Sequence, residues 1–230
     1  MPQFEIILFD MDGTLVGHSD IMPQALRAVL SDAGLPPELD LRAITGNTDY
    51  QNFKAILRKS GIPEDQLEPD IMDLCHRLER KVGELLSSCE MPACPGVLDL
   101  LPQLAEIPVT LGLLTGNLEA IVAPKLTKAG IAPQYFKFGG FGDKNETRVD
   151  AARQALLNGE KFLGKKIPPS RVLVVGDTPK DIACARAIGA KVLAVATGLF
   201  SEEELLAHDP DICLDDLTDA DTILNIVSGE

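Results

Sequence analysis

Asp10 and Asp12 stand one residue apart at the end of an apolar run, in the stretch ILFDMDGTL over residues 7–15. Ile6, Ile7, Leu8 and Phe9 have the make-up of a strand buried on both faces. Two carboxylates at one strand end repel each other, so the pair costs free energy unless a cation, a proton or a ligand compensates. Other reactive residues follow other apolar runs: Thr115, Gly116 and Asn117 after PVTLGLL (108–114), and Gly176, Asp177, Thr178 and Asp181 after RVLVV (171–175). If these runs are parallel strands, their carboxyl ends share one rim, the place where ligands bind in open parallel sheets. Carboxylates, a hydroxyl and exposed backbone N–H groups at one rim suit Mg²⁺ and a phosphate, because Mg²⁺ is usually held by one or two carboxylates together with substrate phosphate. On this reading Asp10, Asp12, Asp177 and Asp181 are the candidate metal ligands. A carboxylate facing a bound phosphoryl group can act as nucleophile and form an aspartyl-phosphate, splitting hydrolysis into two easier steps. A second carboxylate two residues on points to the same side and can work as general acid, then base. Gly13 permits close backbone approach, and Gly116 with Asn117 opens a helix whose N–H groups favour phosphate oxygens.

The elements that must position these residues are short buried strands: FEIILF (4–9), PVTLGLL, a weaker one around YFKFGG (135–140), RVLVV and KVLAVA (191–196), with DICL as a possible edge. Helical patterns of crossover length lie between the later ones: LEAIVAPKLTKAG, VDAARQALLNGEKFL and KDIACARAIGA. Strand alternating with helix predicts an α/β fold, a doubly wound parallel sheet covered on both faces. One interval breaks the rhythm, because the first two strands are about a hundred residues apart where a crossover needs on the order of thirty. GVLDLLPQLAE (96–106) suffices for the crossover helix, which leaves residues 17–92 as an inserted unit. Its patterns are helical: Ala25, Leu26, Val29 and Leu30; Tyr50, Phe53, Ile56 and Leu57; then Ile71, Leu74, Cys75, Leu78, Val82, Leu85 and Leu86. Gly17 on one side and Pro92, Pro95 and Gly96 on the other suit a pair of hinge strands. The expected organisation is a core domain of residues 1–16 and 93–230 carrying a helical cap domain of residues 17–92 beside the first strand's carboxyl end.

Composition narrows the partners. With 35 acidic against 21 basic side chains the formal charge is −14, which repels phosphate backbones and anionic lipid, and no basic patch offsets it. Neither nucleic acid nor membrane is an expected partner. No apolar stretch approaches the ~18 residues of a membrane span, and MPQFEIILFD lacks a cationic leader. The five cysteines include no C-x-x-C pair and read as buried reduced thiols. The expectation is a cytoplasmic protein, monomeric or weakly dimeric.

Other readings of the same residues fit less well. A calcium loop counted from Asp10 puts Gly13 at position four, where position six is required, and Ile21 where a glutamate belongs. No Walker A sequence is present, and GGFGD (139–143) has the wrong spacing for a dinucleotide loop. His18 reads as a solvated hinge residue. Thr115 could merely cap the next helix. In TGNTDY (45–50) the ordinary role of Thr48 or Asn47 is capping, while contact of Asn47, Thr48 or Asp49 with substrate stays open.

These motifs resemble the haloacid dehalogenase-type hydrolases, in particular the phosphoglycolate phosphatase-like branch with a helical cap. DMDGTL, LLTGN, the FGGFGDKNETR region, VVGDTPKDIACARAIGA and VATG appear in the family's order over nearly the whole chain. The resemblance implies Asp10 as nucleophile, Asp12 as acid/base, Thr115 as phosphate-binding hydroxyl, Asp177 as a Mg²⁺ ligand and Asp181 as support for the metal's water shell. Dehalogenase members lack the second aspartate, so Asp12 argues for phosphoryl chemistry. One departure stands out: many relatives carry K-P-x-P before the helix after the third strand, where this chain reads GDKNETRVDAA. A cation is needed there to offset Asp10 and the phosphoryl group. Lys144 and Arg148 are both candidates, and a similar sub-branch has arginine at the latter place. Thr147 and Asp150, three apart, place the helix start so that Arg148 falls in its first turn, which favours Arg148.

The resulting expectation is a Mg²⁺-dependent phosphatase acting on a small, phosphoglycolate-like phosphorylated metabolite. A phosphomutase using the same aspartates and a regulatory phospho-acceptor are the rivals.

Overall fold

The computed structural model describes residues 2–17, 19–143 and 145–229, so His18 and Lys144 lie outside the described residues. Six strands form one sheet: β1 (Ile6–Phe9), β2 (Thr110–Leu114), β3 (Gly139–Gly140), β4 (Val172–Gly176), β5 (Lys191–Val195) and β6 (Ile212–Leu214). Their order is β3-β2-β1-β4-β5-β6, and every pairing is parallel. The strand order reverses beside β1, which puts Asp10 at the topological switch point.

The apolar run of β1 serves two cores at once. Ile7 and Phe9 enter a core with α5 (Val97–Ala105), α6 (Glu119–Lys128) and α10 (Ala220–Ser228), while Ile6 and Leu8 face α7 (Arg148–Leu163) and α8 (Pro179–Ile188). This is the period of two expected of a strand covered on both sides.

Between β1 and β2 the chain makes α1 (Ile21–Asp32), α2 (Leu41–Ile44), α3 (Asp49–Lys59) and α4 (Glu64–Leu86). The apolar stripes read from the sequence are the buried faces of α1, α3 and α4. They join the core on the Phe9 side of the sheet, through Met11, Leu15, Val16 and Met91, so the inserted helices and that face share one apolar cluster. An isolated bridge pairs Val16 with Ala93 where the chain leaves and re-enters the α/β layer.

The weak strand expected over 135–140 shortens to Gly139–Gly140. Pro133–Tyr135 form a 3₁₀ turn instead, and α7 lies so close to β3 that a Cβ on Gly140 would fall 1.9 Å from the Ala151 carbonyl oxygen. The DICL edge is present as β6. No helix among the described residues is long and apolar enough to cross a membrane.

Candidate active site

Three carboxylates converge at the rim. Asp10, Asp177 and Asp181 are all buried, and each offers an oxygen within 4.8 Å of the others. Asp10 follows β1, Asp177 follows β4, and Asp181 lies in the first turn of α8. Burial pushes the Asp10 carboxyl up to about 7; Arg148 works against that shift and the Asp181 charge adds to it. Asp177 is raised well above the ordinary range, first by burial and then by Asp10 and Asp181. Its Oδ1 accepts a 3.1 Å hydrogen bond from the Thr14 hydroxyl, but its buried Oδ2 has no partner. An orphaned buried carboxylate oxygen beside two more carboxylates is the donor set a hard divalent cation requires. Gly13 has φ +87°, and a Cβ there would lie 2.4 Å from that orphaned oxygen, so its expected close approach is to Asp177.

Arg148 closes the cluster on the other side. Thr147 caps α7 by accepting from the Asp150 N–H at 3.2 Å, which fixes Arg148 at the first position of the helix. Its Nη2 donates to Asp10 Oδ1 at 2.5 Å, to Asp181 Oδ1 at 2.5 Å and to the Leu114 carbonyl at 2.9 Å. Burial opposes the guanidinium charge, yet Asp181 and Asp10 hold its pKa well above the ordinary value. Asp181 is also one half of a capping box: its Oδ2 accepts from the N–H and hydroxyl of Thr178. Asp181 thus caps α8 and pairs with Arg148 at the same time.

Asp12 stands apart from the converging carboxylates. Its oxygens accept from Lys125 Nζ at 2.5 and 2.7 Å and from Asn117 Nδ2 at 2.6 Å. Of the four expected metal ligands, Asp12 is therefore the one whose side chain the structure does not bring into the cluster. Thr115 is fully buried and does not line the cavity; its Oγ1 accepts from the backbone and side-chain nitrogens of Asn117, a local turn. Gly116 and Asn117 do line it.

A cavity of about 460 Å³ opens over Asp10. Its walls come from both parts of the chain: Asp12, Gly116, Asn117 and Arg148 from the sheet rim, and α1, α2 and the start of α3 from the inserted helices. The inserted part is clasped to the rim. Asp49 N–H donates to Gly116 O at 2.8 Å, Tyr50 N–H to Gly142 O at 3.2 Å, and Lys180 Nζ to the carbonyls of Ala43 and Thr45. Only glycine fits at 116, because a Cβ would sit 1.9 Å from the Asn47 carbonyl oxygen. The open choice within TGNTDY resolves by position. Thr48 caps α3 by accepting from Gln51 N–H and is fully buried, whereas Asn47 and Asp49 line the cavity. Asp49 Oδ2 accepts from Leu118 N–H, so a carboxylate of the inserted helices takes one of the N–H groups at the start of α6.

A family model described as haloacid dehalogenase-like hydrolase matches residues 7–195. The chain belongs to this family. A phosphoglycolate phosphatase of Agrobacterium fabrum is 29% identical over 223 residues, covering 94% of this chain and 90% of that protein. One from Pseudomonas fluorescens is 30% identical over 219 residues, covering 92% of this chain and 76% of that protein. Among solved structures, CbbY from Rhodobacter sphaeroides in complex with phosphate has a TM-score of 0.75 at 22% identity, covering 94% of this chain and 96% of that one, a likeness of fold. This member of the haloacid dehalogenase-like hydrolases is thus an enzyme, with phosphatases among its relatives.

Two residues of this hydrolase escaped the sequence reading. Thr14 is part of DMDGT and holds Asp177. Lys125 is fully buried on α6 among Ile121, Val122 and Leu126, and its Nζ also donates to Asn117 Oδ1 at 3.1 Å. A lysine at an apolar position of a helical pattern was the available signal, since buried lysine is almost always paired. Lys125→Met should cost about 1–3 kcal/mol of stability, because Asp12 keeps Asn117 and some exposure to water. It should lower kcat with little change in KM. Urea unfolding and steady-state kinetics on the variant check both.

The raised carboxylates also set a pH dependence. The folded pKa of Asp10, about 7, lies above its ordinary 3.8, so the stability it contributes is full below 3.8 and is lost as pH rises through about 7. A divalent cation favours the ionised carboxylates and reverses this loss. The rise in melting temperature on adding Mg²⁺ should therefore be larger near pH 8 than near pH 5, by calorimetry at fixed ionic strength. An equal rise at both would separate the cluster from metal binding.

Proposed function

We propose that this chain is a Mg²⁺-dependent phosphatase that hydrolyses a small phosphomonoester of about the size of phosphoglycolate through an aspartyl-phosphate at Asp10. The observation that carries the reading is the placement of Asp10: buried beside the orphaned Asp177 Oδ2, tied to Arg148, and forming the floor of a small cavity. Asp10 and Asp177 would hold the metal, with Asp181 fixing Arg148 beside them. When bound, Mg²⁺ would offset the carboxylate charge and polarise a phosphoryl oxygen.

The other steps belong to the chain's own residues. An Asp10 oxygen attacks phosphorus as the ester P–O bond breaks, and Asp12 gives its proton to the leaving oxygen. Asp12, now a carboxylate, takes a proton from a water that attacks the aspartyl-phosphate and frees inorganic phosphate. Lys125 and Asn117 hold Asp12 in place for both transfers. Arg148 favours the ionised form of Asp10 and orients it, and residues 17–92 act as the cap that shields the reaction from water. Unpaired cysteines and the net charge of −14 support a cytoplasmic protein without nucleic-acid partners.

Rapid quenching with a ³²P-labelled ester and Mg²⁺ tests this. Label should appear on Asp10 and accumulate in Asp12→Asn. Steady phosphate release with Asp10 never labelled would reject the mechanism, and transfer of the label to a second substrate hydroxyl would assign a mutase.

A further inference from the structure

We infer that the phosphoryl group is the only anion of the substrate, and that its leaving group is neutral or cationic and donates hydrogen bonds, as in a phosphorylated polyol or amino alcohol. The inference rests on the phosphatase reading above and concerns the part of the cavity away from Asp10.

Charge comes first. Among the described residues lining the cavity, Asp10, Asp12, Asp20 and Asp49 are acidic, and Arg148 alone is cationic. The Arg148 Nη2 is engaged by Asp10, Asp181 and the Leu114 carbonyl. The described cations bordering the site are turned elsewhere: Lys125 to Asp12, Lys180 to the Ala43 and Thr45 carbonyls, and Arg42 to Glu204 and the Leu199 carbonyl. Lys125 thus balances Asp12, and Arg148 balances Asp10. Asp20 remains for the leaving group, together with the part of Asp49 that Leu118 N–H does not engage. Asp49 is only 5% exposed yet lines the cavity; its Oδ2 accepts from Leu118 N–H and burial pushes its carboxyl up to about 7, so it offers the leaving group a hydrogen-bonding partner more than a fixed negative charge. A second carboxylate or phosphate there would meet like charge from Asp20.

Hydrogen-bonding capacity points the same way. Asn47 Nδ2 already donates to Ala43 O and Asn52 Oδ1, and Asn52 Nδ2 to Ile44 O. What these residues leave open is mainly acceptors, Asn47 Oδ1 and carboxylate oxygens, although Asn52 keeps a second N–H and its Oδ1 already accepts from Asn47. Hydroxyls or an ammonium on the leaving group would satisfy them. Met22, Leu26, Leu41 and Ile44 supply an apolar wall for its carbon skeleton.

The N-terminus of α1 also borders the cavity, and helix N-termini attract anions. Its N-cap, however, is Asp20, whose side chain makes no capping hydrogen bond and presents its own negative charge to the cavity.

Three esters with the same two-carbon skeleton test the inference: 2-phosphoglycolate, 2-hydroxyethyl phosphate and 2-aminoethyl phosphate, each assayed for phosphate release with saturating Mg²⁺. The hydroxyethyl or aminoethyl ester should exceed phosphoglycolate at least about tenfold in kcat/KM, the effect of one unfavourable charge contact. Asp20→Lys should raise kcat/KM for phosphoglycolate several-fold and lower it for the aminoethyl ester. Asp20 is exposed and its capping role involves no side-chain bond, so the fold tolerates this change. Phosphoglycolate at or above both other esters in the parent enzyme overturns the inference while leaving the phosphatase reading intact. No phosphate release from these esters or from p-nitrophenyl phosphate overturns the phosphatase reading, and this inference with it.

Discussion

Asp10→Asn should abolish ester hydrolysis and leave the protein folded. The carboxylate sits at the end of β1, 6% exposed, with Asp177 and Asp181 close by. An amide of the same shape is a poor nucleophile, and removing the nucleophile from a covalent mechanism costs on the order of 10⁶-fold in rate. Stability should move the other way. Burial pushes the Asp10 carboxyl up to about 7, which means that ionising it in the folded protein is unfavourable without a metal. A neutral amide removes that cost and one term of the repulsion with Asp177 and Asp181, while Arg148 keeps Asp181 and the Leu114 carbonyl as partners. Near pH 8 the metal-free variant should therefore melt no lower than the parent, and it should lose most of the stabilisation that Mg²⁺ gives. Phosphate release, melting curves with and without Mg²⁺, and mass spectrometry for residual phosphoenzyme provide the readout. A variant that keeps parental turnover removes Asp10 from the mechanism.

The contrast between Asp10 and Asp12 shows how far residue types and spacing reach. Strand ends are legible because an apolar run must stop where the sheet meets water, so Asp10, Asp177 and the Gly116–Asn117 turn could be placed at one rim from sequence alone. The cap of α7 was legible too, because Thr147 and Asp150 are local partners. Asp12 was harder, since what a carboxylate pairs with depends on contacts distant in sequence. Lys125 lies 113 residues away, and only the packing of α6 against the inserted helices delivers its ammonium to Asp12. Thr115 carries a related lesson, for its hydroxyl accepts from the next residue but one, Asn117, and Thr115 is not among the residues lining the cavity. The short α2 left no mark in the pattern, having four residues and none buried. It nevertheless supplies Leu41 and Ile44 to the cavity wall.

Arg148 is where the chain departs from the commoner lysine pattern, and the geometry gives that departure a measurable consequence. A planar guanidinium can share its fork between two partners. Instead a single nitrogen, Nη2, donates to Asp10, Asp181 and the Leu114 carbonyl, while the buried Nε has no partner. Arg148→Ala leaves two buried carboxylates facing each other with no counter-charge. Breaking such a buried pair costs about 3–5 kcal/mol of stability. Loss of a charge-stabilising donor costs a further 10²- to 10³-fold in kcat, or about 3–4 kcal/mol. Lysine at a bidentate arginine site is ordinarily a poor replacement, but here the three acceptors converge on one point, which suits the three donors of a compact ammonium. Arg148→Lys should therefore recover more than half of the stability lost in Arg148→Ala and bring kcat within about tenfold of the parent. Lys144→Ala, assayed beside them at saturating Mg²⁺, should change kcat far less than Arg148→Ala. If the lysine variant is as damaged as the alanine one, the site depends on the guanidinium plane and the single-nitrogen account of Arg148 is wrong. If Lys144→Ala costs more than Arg148→Ala, the principal cation is Lys144.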